Sequence, residues 1–249
     1  MRCMQQIFIN NSQIDENTIS VKGDDAKHLI KVCRIKPGEK VRVSTSSEEN
    51  YICEVSEIVD NKLYLSILEN VNTTELPCNI KLFQALPKGD RMETIIEKCT
   101  ELGVSEIVPV EMKYCVVKLD DKKKIKRTER YRSIANSAAK QSKRSVIPTV
   151  SNVMSFAEAI EYAKGSDIII VPYENKNGME ATTDALQLLK PNDTISIFIG
   201  PEGGFDSNEI EALDKLDNSK IISLGKRILR TDTAAITTVA MVMLEIEAE

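Results

Sequence analysis

The sequence predicts an α/β fold: a C-terminal domain built on a parallel sheet, preceded by a small β-barrel. Three observations carry this. From Ile7 to about Leu68 hydrophobicity alternates with period two, the rhythm of half-buried strands. A polar stretch, "ENVNTTELPCN", then interrupts it. Beyond that stretch strands alternate with amphipathic helices, as a parallel sheet with helical crossovers requires. At 249 residues, 42% of them hydrophobic, the chain can bury two cores of unequal size. The predicted division is a barrel over 1–70, a linker over 71–79 and an α/β domain over 80–249.

Element by element, the barrel strands read "IFIN", "TISVKG", "KVRVST", "YICEVSEI" and "KLYLSIL", with Pro37-Gly38 suited to a type II turn. The exception is "DDAKHLIKVCRI", where Ala26, Leu29, Ile30 and Cys33 share a helical face. "NIKLFQAL" opens the second domain as a strand. "GDRMETIIEKCTELGV" follows as a helix, with Asp90 and Glu93 as a D-x-x-E cap and Gly103 as its left-handed end. Then come the strand "EIVPV", a basic helix from about Thr128 to Lys143, and the helix "SFAEAIEYAK". Three strands follow, "DIIIVPYE", "TISIFIGPEGG" and "IISLGKRILR", each ending in a distinctive loop. Asp206 and Glu209 repeat the capping pattern after the second. The last segment, "TDTAAITTVAMVMLEI", is apolar on most faces and predicts a helix buried in the core or in a subunit interface.

Composition excludes several classes. Six cysteines stand singly and there is one histidine, so neither a metal site nor a disulfide framework is expected. No stretch reaches the roughly 20 apolar residues of a membrane span, and the N-terminus enters a strand pattern directly, so the expected location is cytoplasmic. The net charge is -5, yet the segment from Lys122 to Arg144 holds ten Lys/Arg against one acid, Glu129. That block reads either as a polyanion-binding surface or as a solvated helix face.

In "IFIGPEGGF", 197–205, a strand runs straight into a glycine-rich turn that opens a helix. Ligands bind at such carboxyl ends in open α/β sheets, and glycines let backbone approach them closely. Neither a dinucleotide fingerprint nor a phosphate-loop motif is present. Two further strand-end loops, "VPYE" and "LGKRILRTDTA", lie in the same half, and three loops together can cup one small molecule.

These motifs carry a resemblance. "IGPEGGF" with "LGKRILRTDTA", together with "RMETIIEKCTELGVSEIVPV", "AAKQSKR" and "HLIKVCRIKPGEKV", resembles the RsmE family of 16S ribosomal RNA uridine-N3 methyltransferases, in the SPOUT superfamily. The resemblance implies a PUA-like barrel followed by a SPOUT domain whose C-terminal chain forms a trefoil knot. It further implies an S-adenosyl-L-methionine cofactor, a 16S ribosomal RNA or small-subunit substrate, and a homodimer. Carried over by position, the cofactor loops are Pro172, Tyr173 and Glu174; Ile199, Gly200, Pro201, Gly203 and Gly204; and Leu224, Gly225, Ile228 and Leu229. The candidate RNA contacts are Lys31, Arg34, Lys88, Arg91, Lys122, Lys123, Lys124, Arg130, Arg132, Lys140, Lys143 and Arg144.

Uracil N3 carries a proton at neutral pH, so the site must offset negative charge on the ring or accept that proton. Arg230 is the candidate for the first role, Glu202 and Asp232 for the second. Glu202 can instead orient amides of its own loop, and Asp232 can cap the last helix. Three positions depart from the family pattern: Asp232 stands where Glu is usual, and Lys140 and Lys143 where Glu and Gly are expected. Two rival readings stay open: a SPOUT enzyme acting on a ribose 2′-hydroxyl or another base, and a non-catalytic RNA-binding assembly protein.

Overall fold

The computed structural model describes residues 4–173 and 178–248. Its contacts divide into two units. One ends at Glu75 and takes in Ala139–Val146; the other comprises Leu76–Ala138 and the chain from Ile147. The sequence reading drew all of 80–249 as one domain, so the assignment of 139–146 differs from it.

The first unit is a six-stranded sheet of β1 (Gln5–Ile9), β2 (Ile14–Asp15), β3 (Thr18–Val21), β4 (Lys40–Thr45), β5 (Asn50–Val59) and β6 (Lys62–Asn70). The order is β1-β4-β5-β6-β3-β2, antiparallel except for β1 against β4. Period two sends one side of each strand inward, and Ile7, Ile19, Val41, Val43, Val55, Leu63 and Leu65 form the core. Helix α1 (Gly23–Lys27) continues as a π turn over His28–Val32, with Ala26 and Leu29 buried. The Pro37-Gly38 turn closes with the Glu39 amide on the Lys36 carbonyl and Gly38 at φ +86°, the type II geometry only glycine adopts cheaply.

The second unit contains β7 (Asn79–Ala85), α2 (Arg91–Glu101), β8 (Glu106–Glu111), α3 (Asp121–Ser142), β9 (Thr149–Val150), β10 (Met154–Ser155) and α4 (Phe156–Ala163). It continues with β11 (Ile168–Pro172), α5 (Glu180–Leu186), β12 (Thr194–Ile199), α6 (Ser207–Asp214), β13 (Ser219–Ile222) and α7 (Thr231–Glu247). The order β10-β8-β7-β12-β11-β13 is parallel throughout, with β9 on β8. Alternation along the strands feeds two cores. Ile168, Ile170, Ile195 and Ile197 meet α2, α5 and α7, whereas Ile169, Val171 and Phe198 meet α4 and α6. Both faces are therefore dry, which explains the unbroken apolar runs.

Two expectations need correction. The basic helix begins at Asp121 rather than near Thr128, because Asp120 accepts the Lys123 amide at 2.9 Å and caps a first turn made of lysines. Asp90 makes no side-chain cap at α2. Its expected partner, Glu93, instead receives both ends of the Arg130 guanidinium, at 2.5 and 2.7 Å.

Candidate active site

Because the sheet is parallel, β7, β8, β11, β12 and β13 deliver their carboxyl ends to one edge. The chain reverses direction about β11, which lies between β12 and β13, and a crevice at such a reversal is the expected ligand site. A cleft lies there. Pro172 and Tyr173 form one side, the 223–229 segment another, and Ala234 of α7 closes it. Its walls are held by main-chain bonds: the Tyr173 amide donates to the Ile222 carbonyl at 3.0 Å, and the Gly225 amide to Ser223 Oγ at 3.2 Å. The Thr182 hydroxyl donates to the Ser223 carbonyl at 2.7 Å, pinning α5 to β13. Gly225 sits at φ +97°, where a side chain would strain the turn. Glu174, expected in the first loop, lies outside the described residues.

The middle loop joins the others through a buried relay. Thr231 Oγ1 donates to the Gly200 carbonyl at 2.8 Å and accepts from Gln84 Nε2 at 2.9 Å, linking β7, β12 and α7. The glycines here serve internal packing. A Cβ on Gly200 would sit 3.0 Å from the Phe205 ring, and one on Gly203 would sit 3.0 Å from Tyr114 Cβ. Asp206 caps α6 as predicted, accepting from the Asn208 amide, while Glu209 accepts the Asp206 amide. The Asp206 carboxylate also takes Lys113 Nζ at 2.7 Å and the Tyr114 hydroxyl at 2.9 Å. Lys113 holds its pKa down at about 2 and Tyr114 adds to this, against the upward push of burial.

Glu202 faces the β7 side. It accepts the Lys88 amide at 3.0 Å and pairs with the Arg91 guanidinium. Burial pushes its pKa up, but the Lys88 amide, its own amide and Arg91 outweigh that and hold it below the usual value. A carboxylate so occupied is a weak proton acceptor. Asp232 differs. It is the second residue of α7, not its cap, and its buried Oδ1 has no partner among the described residues. Arg230, at the N-cap position of α7, is exposed; its carbonyl accepts the Ala234 amide at 2.8 Å, and its guanidinium makes no hydrogen bond or ion pair among the described residues. Gln84 Oε1 is another buried acceptor left open in this region. A cleft at this edge, with unmet acceptors on Asp232 and on Gln84 near the start of α7, fits a cofactor carrying amino groups.

The RNA methyltransferase domain family matches residues 74–243, and the RNA methyltransferase PUA domain family matches residues 21–68. Ribosomal RNA small subunit methyltransferase E of Bacillus subtilis is 35% identical over 251 residues, covering 98% of each chain. The chain belongs to that family. It is an S-adenosylmethionine-dependent RNA methyltransferase. The protein of the same name from Mesomycoplasma hyopneumoniae is also 35% identical, over 94% of this chain and 96% of that one. The crystal structure of the Neisseria gonorrhoeae protein of that name, bound to S-adenosyl methionine, superimposes with a TM-score of 0.79, 27% identity and 96% coverage of both chains.

Among the cations expected to meet RNA, the methyltransferase exposes Lys31, Arg34, Lys88, Lys122 and Lys123; Arg130 and Arg132 are exposed but bonded to Glu93 and the Val150 carbonyl, and Arg91 is half-buried on Glu202. Others are engaged internally. Lys124 pairs with Glu111 and Lys140 with Asp25, Lys143 reaches the Met4 carbonyl, and Arg144, only 4% exposed, is paired with Glu75. His28 is exposed on the first unit. The residues that sequence reasoning missed are Gln84, Tyr114, Asp206 as an anchor, and Thr231. Only Gln84 left a signal, as the one amide in the apolar strand "IKLFQAL".

Proposed function

We propose that this enzyme methylates N3 of a uridine in 16S ribosomal RNA of the small subunit. The observation that carries the reading is the pair at the start of α7: an Arg230 guanidinium and a buried Asp232 oxygen, two residues apart beside the cleft and both without a partner among the described residues. S-adenosylmethionine, when bound, supplies an electrophilic methyl group to a ring nitrogen. The main chain around Leu224, Gly225, Ile228 and Leu229, with Pro172, Tyr173 and the Ile199–Gly204 loop, would hold it. Asp232 accepts the N3 proton, and Arg230 offsets the charge that spreads over O2 and O4. Glu202 orients Arg91 and the Lys88 loop rather than moving a proton.

The same proposal takes 1–70 as the RNA-binding domain, 80–249 as the catalytic SPOUT domain with its trefoil knot, and the cytoplasm as the site of action. It also includes a homodimer through the outer side of α7, where Leu244 is 62% exposed and Ala240 and Met243 are half-buried. Sedimentation of a Leu244→Glu variant as a monomer supports that interface.

Two measurements test the reaction. Mass spectrometry of digested 16S RNA from cells lacking the protein should reveal one uridine without a base methyl; a missing ribose methyl would transfer the assignment to the 2′-hydroxyl. Arg230→Ala should lower kcat by about 100-fold or more while calorimetry finds cofactor affinity within about threefold. Full activity in that variant removes Arg230 from the role.

A further inference from the structure

We propose that Tyr114 is a stacking platform for an unpaired nucleobase of the RNA, standing on the flank of the glycine loop opposite the cofactor cleft. The inference rests on the RNA-methylation reading.

Position comes first. Tyr114 lies three residues past β8, so it emerges at the same sheet edge as the loops after β7 and β12. In the order β8-β7-β12-β11-β13, the cleft occupies the β11 and β13 side of the 200–205 loop and Tyr114 the other side. Contact with that loop is close. Tyr114 Cβ occupies space that a side chain at Gly203 would need.

The ring is held still and yet left uncovered. Its hydroxyl donates to Asp206 at 2.9 Å, and Asp206 is itself fixed by Lys113 and by the capped end of α6. Glu209 takes the Lys113 amide at 2.8 Å, so the backbone beside the ring is tied down as well. Nevertheless Tyr114 is 44% exposed. An aromatic group already ordered loses little further freedom when a flat partner covers it. The chain has no tryptophan, and its stacked pair, Phe83 and Phe198, lies in the core; Tyr162 is also exposed and anchored, but on Glu106 at the start of β8, the opposite edge of the sheet from the loops.

Charge around the ring suits a nucleotide. Lys113 Nζ lies 5.6 Å from the ring centroid. Lys88 and Arg91 project from the next loop along the edge, which Glu202 binds to the glycine loop. An aromatic face bordered by cations is the usual grip on single-stranded RNA, the ring taking a base and the cations its phosphates. Stacking is tolerant of base identity, so Tyr114 positions a splayed nucleotide rather than choosing it.

The experiment uses small ribosomal subunits lacking the methyl group. Tyr114→Ala and Tyr114→Leu should each raise KM for the subunit at least about fivefold, and Tyr114→Phe should recover most of that loss. Cofactor affinity should stay within about twofold, and the salt dependence of subunit binding should keep its slope, because no phosphate contact is lost. Wild-type KM in the Leu variant overturns the proposal. So does an equal rise in Leu and Phe, which would assign the effect to the Asp206 anchor. If the Ala variant melts early, the Leu and Phe pair still decides. A wild-type enzyme that leaves the subunits unmethylated would sink the parent reading, and Tyr114 with it.

Discussion

The two ends of α3 have the same charge in the sequence and different fates in the structure. At the start, Lys122, Lys123 and Lys126 point to solvent, Lys123 in an exposed pair with Asp120, while Lys124 between them turns back to Glu111. At the end, Lys140 and, just past the helix, Lys143 and Arg144 belong to the first unit and meet Asp25, the Met4 carbonyl and Glu75 within it. Glu75 also accepts the Ser145 amide at 2.7 Å and the Val146 amide at 3.1 Å, so Arg144 completes a built-in site for that carboxylate. A run of like charge thus contains an electrostatic surface and a structural joint. Counting cations along the chain overstates the surface.

The sharpest way to break this comparison is to remove one cation from each end. Arg144→Ala leaves Glu75 without its countercharge in a largely buried setting, so it should destabilise the protein by about 3 kcal/mol in denaturant unfolding. The salt slope of RNA binding should not change. Replacing Lys122, Lys123 and Lys126 with glutamine should do the reverse. The slope of log affinity against log salt should fall by about 2, with the midpoint of unfolding unmoved. If the slope stays, the exposed end is only a solvated face. If Arg144→Ala alone flattens it, the division drawn here is wrong.

What the sequence revealed follows the same line. Period-two and helical rhythms are local, and they disclosed both sheets, the longer elements in order and the three strand-end loops, but not α5 or the two-residue strands β2, β9 and β10. The D-x-x-E pattern is local too, yet it succeeded at Asp206 and Glu209 and failed at Asp90 and Glu93. Glu93 was claimed by Arg130, 37 residues away. Partnerships of this kind have no signature in a single chain. Thr231 with Gln84, 147 positions apart, and Tyr114 with Asp206, 92 apart, were invisible for the same reason. Glu202 was legible as chemistry, but only its bonds to Lys88 and Arg91 distinguish orienting from proton transfer.

Arg130 stands between the two ends and gives the finest test. It is largely exposed, like the lysines before it, but carries a bidentate bond to Glu93, like the cations after it. The hydrogen bond from Arg130 lowers the Glu93 pKa, so the pair stabilises the fold above the carboxyl's unfolded value and loses that contribution as pH falls through the folded one. Exposure keeps the effect small. Glu93→Gln should move the melting temperature by no more than about 1 °C at neutral pH, and by progressively less as acid protonates the carboxyl in the folded protein. The same change frees a guanidinium, so the salt slope for RNA should steepen by less than about 1. A steeper slope would place Arg130 with the exposed surface, restrained only by its acid. A melting shift of several degrees would place it with the joint.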